Sequence, residues 1–208
     1  MLLALLLACS PGSSGQAERA EALERGLAAA VRRNDGSGGG VLRAEDQAGV
    51  WFEGAAGRAV AGGAAMTPTA DFEIASVTKT FTAAVVLLLV EEGALSLDEG
   101  LGTALPAWES GLLVVDGVDR TPEITLRQLL NHTSGLPHHW TADPRAGVDS
   151  NAFLDAFLAD PDRFWTPEEI LATVPDLAPA GAPGERWHYS DANYLLLGLI
   201  VERATGSP

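Results

Sequence analysis

Between Phe81 and Val90 the chain reads Phe-Thr-Ala-Ala-Val-Val-Leu-Leu-Leu-Val, a run that is almost wholly apolar. It is about half the length a helix needs to cross a bilayer, so it predicts a helix buried inside the protein, with Gly93 as its stop. A helix apolar on every face needs other layers around it. With 208 residues, 47% of them apolar, the chain can supply that core and is not disordered. The 28 acidic residues outnumber the 13 basic ones, for a net charge of −15, and such a surface repels phosphate backbones, so no nucleic-acid partner is expected. No apolar run approaches the 18 or so residues of a spanning helix, which excludes a polytopic membrane protein. A single cysteine, Cys9, excludes an internal disulfide framework and a cysteine-rich metal site.

The pattern before residue 76 is mixed, and after it helical. Leu23, Leu27 and Val31 recur at helical spacing within residues 17–33, with Arg32 and Arg33 suited to a helix C-terminus. Val41-Leu42-Arg43 and Val50-Trp51-Phe52 flank Asp46-Gln47-Ala48-Gly49 and predict a β-hairpin, and Arg58-Ala59-Val60 suggests a further short strand. Beyond the apolar run, Ser96 to Glu99, Thr125 to Gln128 and Thr166 to Glu169 each have capping-box spacing. Residues 151–159 predict a short amphipathic helix. Residues 191–204 predict an apolar one capped by Asp191 and stopped at Gly206.

Ser76-Val77-Thr78-Lys79 opens the apolar helix. A serine and a lysine three residues apart share a helix face, which brings hydroxyl and amine within hydrogen-bonding range. Free amides and the dipole at a helix N-terminus favour an oxyanion. The same positive end, with burial, is expected to lower the lysine pKa from about 10.4, so that a neutral amine can take the serine proton. Taken alone, S-x-x-K more often means a serine cap with an exposed lysine one turn on. Here, however, Lys79 is the only lysine beside twelve arginines. Arginine serves most surface roles but cannot give up its proton, so a lysine at this one place points to deprotonation.

A second motif, Trp187-His188-Tyr189-Ser190-Asp191-Ala192-Asn193-Tyr194, leads into the last helix. A tyrosine in a loop just before a helix can present its phenol to an active site; aromatic packing accounts well for Tyr194, whereas for Tyr189 alone packing and a site role are evenly matched. Between the motifs lies Leu126-Arg127-Gln128-Leu129-Leu130-Asn131-His132-Thr133-Ser134-Gly135-Leu136-Pro137. This set, in this order, resembles the serine β-lactamase and D-alanyl-D-alanine carboxypeptidase superfamily, in its class C-like branch of esterases and D-amino-acid peptidases. The resemblance covers roughly residues 20–208. It implies an α/β (α+β) fold with an antiparallel sheet packed by helices and an all-helical subdomain. It also implies an acyl-enzyme on Ser76, with Lys79 as activating partner, Tyr189 as general base or acid near the leaving group and the Ser76 amide as an oxyanion donor. His132 would shape the loop after its helix. The substrate would be a small molecule or peptide with an amide, ester or lactam bond, such as a peptidoglycan stem peptide, and no cofactor is implied.

Two departures stand out. Where the family often has Asn two residues after the tyrosine, this chain has Asp191, a substrate-binding candidate that at neutral pH can only accept hydrogen bonds. The third family motif, K-T-G or H-x-G on a strand lining the site, does not follow Tyr189. The expectation is therefore a partial domain over residues 17–208 that lacks the C-terminal strands, divided into helix and hairpin (17–75) and nucleophile helix with helical region (76–208). The missing motif also supports a rival reading, a non-catalytic envelope lipoprotein that uses the fold to bind peptidoglycan fragments or a partner. The four histidines, His132, His138, His139 and His188, fit no zinc spacing, and no metal is expected. Residues 1–16 read as an export signal and linker. Leu6-Leu7-Ala8 before Cys9 forms a lipobox, which predicts lipidation of Cys9 and a membrane attachment through that lipid alone.

Overall fold

The computed structural model describes residues 13–33, 38–60, 62–140 and 152–207. Cys9 and its lipobox lie outside the described residues. The chain divides into two compact units, Met1–Ile74 and Ala75–Pro208. The architecture is α/β, with seven α-helices and two small antiparallel sheets among the described residues.

The first unit is a helix on a hairpin. Helix α1 (Ser13–Arg33) begins four residues earlier than the apolar spacing suggests. Strands β1 (Gly39–Asp46) and β2 (Gly49–Gly57) form the expected hairpin, paired antiparallel about the Asp46–Gly49 turn with an irregularity between Ala44 and Glu45. The turn is closed by the Ala48 amide, which donates to Asp46 Oδ1 at 2.8 Å. Small residues let the helix approach the strands closely. Gly57 has φ +81°, and a Cβ there would overlap Val31 and the Gly38 carbonyl. The strand expected at 58–60 is reduced to a single bridge between Arg58 and Ala65.

The second unit is built around one central helix. A 3₁₀ turn (Ala75–Val77) leads into α2 (Thr78–Glu91). Short helices α3 (Leu101–Ala104), α4 (Leu126–Leu130), α5 (Ala152–Ala159) and α6 (Pro167–Leu171) follow, with the small hairpin β3 (Val114–Val115) and β4 (Val118–Asp119) between α3 and α4. Helix α7 (Asp191–Thr205) packs on α2, α4 and α6. Its Leu196, Leu197 and Ile200 are fully buried, together with Leu101, Ile124, Leu126, Leu129 and Leu171. Buried Thr121 joins this core because its hydroxyl accepts both the Leu112 and Leu113 amides at 2.9 Å. Gly206, at φ +69°, ends α7 as expected.

Three expectations are corrected. Capping boxes form at Thr125 with Gln128 and at Thr166 with Glu169, but Ser96 to Glu99 closes only a turn, and the next helix starts at Leu101. The cap of α7 is Ser190, not Asp191. The apolar helix is not buried all round. α7 packs on α2, and Val86 joins the buried core there, whereas Phe81 is 63% exposed and Leu88 56%. Composition alone could not reveal this, because it marks a helix suited to burial on every face without supplying the layers.

Candidate active site

The site of the second unit forms where α2 begins, α4 ends and α7 begins. Ala75, a non-glycine residue, has φ +46°, an unfavourable conformation that turns the chain sharply just before Ser76. Ser76 lies in the 3₁₀ turn and Lys79 in the first turn of α2. Helix α4 stops at Asn131, and His132 adopts the left-handed conformation with φ +60°. The Thr133 amide closes that end by donating to the Gln128 carbonyl at 2.9 Å. From there residues 132–138 run beside residues 188–191. The His188 amide donates to the His132 carbonyl at 2.8 Å, and the Ser190 hydroxyl donates to the Pro137 carbonyl at 2.7 Å.

This framework brings Ser76, Lys79, Tyr189 and Asp191 together. Ser76 Oγ and Tyr189 Oη are 2.7 Å apart, and Lys79 Nζ donates to Ser76 Oγ at 3.5 Å. Lys79 Nζ also lies 5.1 Å from the centre of the Tyr189 ring and 5.6 Å from that of Tyr194, within cation–π range. Asp191 forms an ion pair with Lys79, in which both side chains are largely shielded, at 18% and 22% exposure.

The ion pair reverses one expectation. Burial does depress the Lys79 pKa, as anticipated, but the hydrogen bond and charge of Asp191, with a contribution from Tyr189, outweigh it and hold the amine above its ordinary value. Burial likewise opposes ionisation of Asp191, yet Lys79 holds its carboxyl below the usual carboxylate range. At neutral pH the pair is ammonium and carboxylate. Lys79 is then a donor toward Ser76 Oγ, and Tyr189 Oη shares a hydrogen bond with the same oxygen.

Asn193 and His138 escaped the sequence reading as supporting residues, whereas Tyr194 was expected to pack and His132 to shape its loop. Asn193 is fully buried; its Oδ1 accepts from Ser134 Oγ at 2.6 Å and its amide nitrogen lies 3.0 Å from His132 Nδ1. Tyr194 is a packing residue whose hydroxyl donates to the Leu130 carbonyl at 3.0 Å. The Tyr189 ring lies between two histidines, with His132 tilted over it at 4.6 Å between ring centres and His138 edge-on at 5.5 Å. The only advance signal for these partners was the run of polar residues flanking each motif.

The Beta-lactamase family model matches residues 21–208. The chain belongs to the Beta-lactamase family. Among curated proteins, this Beta-lactamase family chain is 34% identical to Protein flp of Staphylococcus aureus (strain COL) over 139 residues, 67% of this chain and 24% of that protein. It is 37% identical to Esterase EstB of Burkholderia gladioli over 143 residues, 66% of this chain and 33% of that protein. Among solved structures, the D-stereospecific amidohydrolase from Streptomyces sp. superposes with a TM-score of 0.71 at 34% identity, covering 91% of this chain and 50% of that one. D-amino acid amidase from Ochrobactrum anthropi SV3 gives 0.67 at 27% identity, covering 90% and 47%. The chain thus spans half or less of the length of each of these proteins.

Proposed function

We propose that the protein is a serine hydrolase that forms an acyl-enzyme on Ser76 and cleaves ester or amide bonds, with derivatives of D-amino acids as the favoured substrates. The observation that carries the reading is the contact of Ser76 Oγ with Tyr189 Oη at 2.7 Å beside Lys79 Nζ at 3.5 Å. The esterase and D-amino acid amidase relatives support the bond types and the substrate class.

In acylation, Ser76 Oγ bonds to the carbonyl carbon while its proton passes to the oxygen of Tyr189, a transfer that requires the phenolate form of that side chain. Collapse of the tetrahedral adduct breaks the carbon–oxygen or carbon–nitrogen bond, and the leaving group takes the proton back from Tyr189. Water then repeats the sequence to release the acid. The Ser76 amide supplies one donor to the oxyanion. Asp191 acts here by holding Lys79 as a cation, and it reaches substrate only when that pair opens. Attachment to the cell envelope through a lipid on Cys9 belongs to the same proposal. It rests on the lipobox alone.

The rival reading, a non-catalytic protein that binds peptidoglycan fragments or a partner, draws on the same ion pair, because a lysine held as ammonium cannot act as a base. Labelling with a fluorophosphonate, followed by mass spectrometry of the peptide containing Ser76, separates the two. The hydrolase reading expects a covalent adduct that is lost in Ser76→Ala. An unlabelled, folded wild-type protein supports the binding reading.

A further inference from the structure

Two ring nitrogens hold the segment that carries Tyr189. The Ser190 amide donates to His132 Nδ1, and the Asp191 amide donates to His138 Nδ1, each at 3.3 Å. A nitrogen that accepts a backbone N–H carries no proton of its own, so the neutral ring bears its proton on Nε2. The Asp191 carboxylate lies 4.0 Å from the same Nδ1 of His138, and the two are a charge pair only when the ring is protonated. Both imidazoles are disfavoured as cations. Burial comes first for each, Lys79 adds repulsion, and Asp191 only partly offsets it.

We propose that His132 and His138 are positioning residues which hold Tyr189 against Ser76 by accepting, through unprotonated Nδ1 atoms, the amides of the two residues that follow the tyrosine. The proposal rests on the serine-hydrolase reading and adds its pH control. The site cannot keep its geometry if either ring is protonated, because Nδ1–H and the amide N–H would then face each other as two donors. Among the described residues, the charged and ring groups around His138 include Asp191, His188, Lys79, His139 and the Tyr189 ring; around His132 they include Lys79, Asp191, His138, His188 and the rings of Trp187, Tyr189 and Tyr194, with the Asn193 amide nitrogen 3.0 Å from the His132 Nδ1. Lys79 is held above its ordinary value and Asp191 below, so neither titrates in the interval where imidazoles do. His132 and His138 are thus expected to contribute an acid limb to the rate of Ser76 acylation, identified by its shift in His138→Asn.

The test measures fluorophosphonate labelling of Ser76 from pH 4.5 to 8 in wild type, His138→Asn and His138→Phe, with circular dichroism on each. It is joined to nitrogen NMR of the histidine rings in wild type. Asparagine can place Oδ1 near the position of Nδ1 and does not titrate; phenylalanine keeps the ring and removes the acceptor. The expected result is a loss of at least tenfold at pH 7.5 for His138→Phe. For His138→Asn it is recovery to within about threefold of wild type, with an acid limb moved to lower pH. NMR should find the neutral His132 and His138 protonated on Nε2. Wild-type rate and an unchanged acid limb in His138→Phe would overturn the proposal, and so would a neutral ring protonated on Nδ1. An acid limb removed by His188→Gln but not by His138→Asn would overturn it as well. If wild type itself is never labelled, the serine-hydrolase reading fails on its own, and the NMR result still decides the acceptor assignment.

Discussion

Asp191 holds Lys79 by an ion pair at the mouth of α2, and the pair makes the lysine a cation rather than a base. The sequence motif pairs Lys79 with Ser76; the structure pairs it more tightly with a residue 112 positions away. This changes what substitution at Lys79 should do. Lys79→Arg keeps the charge and should lower Ser76 labelling only about tenfold, through its bulk. Lys79→Ala leaves Asp191 partly buried without its partner and should lose at least about a hundredfold. Equal losses in the two folded variants would restore the neutral-lysine mechanism.

Asp191→Asn removes the charge that raises the Lys79 pKa, so more of the amine is neutral at a given pH. Because Lys79 is the only lysine, the change can be read by mass spectrometry after acetylation at pH 9. Modification of Lys79 should be several-fold faster in Asp191→Asn than in wild type. Equal rates would show that the ion pair does not control the lysine.

Tyr189→Phe removes the oxygen 2.7 Å from Ser76 and leaves the ring contacts with His132 and His138 in place. Labelling of Ser76 should fall about 10²–10⁴-fold with the thermal midpoint nearly unchanged. A smaller loss would move the proton-accepting role elsewhere.

His139 is fully enclosed, and burial first, then the neighbouring His138, push its pKa down to about 4. Its folded-state value is therefore depressed below the unfolded value of about 6.5. The unfolded chain binds the extra proton first, so the contribution is fully present above about pH 6.5 and is lost as pH falls toward 4. It is worth on the order of 3 kcal/mol across that window. The urea midpoint should decline from pH 7 to 4.5, and the His139 ring resonances should show it still neutral at pH 5. A ring that titrates near 6.5 would contradict this.

Thr166 accepts from the Glu169 amide at 3.2 Å, and Glu169 returns a bond to the Thr166 amide at 3.0 Å. Thr166→Ala should cost about 1 kcal/mol, seen as a lower urea midpoint with unchanged slope. No change would mean that α6 is held by Leu171 packing alone.

What was legible in the sequence was local. The hairpin turn at Asp46–Gly49, the boxes at Thr125 and Thr166 and the stop at Gly206 each follow from side chains that bond or bend their own neighbourhood. Ser76 and Lys79 were legible because one helix turn brings them together. Asp191 on Lys79, His138 on the Asp191 amide and Asn193 on His132 were not, since each joins segments more than fifty residues apart. The solvent-facing side of α2 was illegible for a related reason: a run of leucine and valine marks a suitable surface but does not name what lies against it.

Val86 is the α2 side chain that joins the buried core, about 15 Å along the axis from Ser76. Ser76 thus stands at the opposite end of the helix from that anchor, where the Lys79–Asp191 ion pair is the nearby restraint. A side-chain atom about 5 Å from the helix axis moves about 2 Å when the helix rolls by roughly 20°, which is comparable with the 2.7 Å between Ser76 Oγ and Tyr189 Oη. Under the proposed mechanism, the alignment of Ser76 with Tyr189 would therefore depend on the roll of α2 as well as on the ion pair at its start.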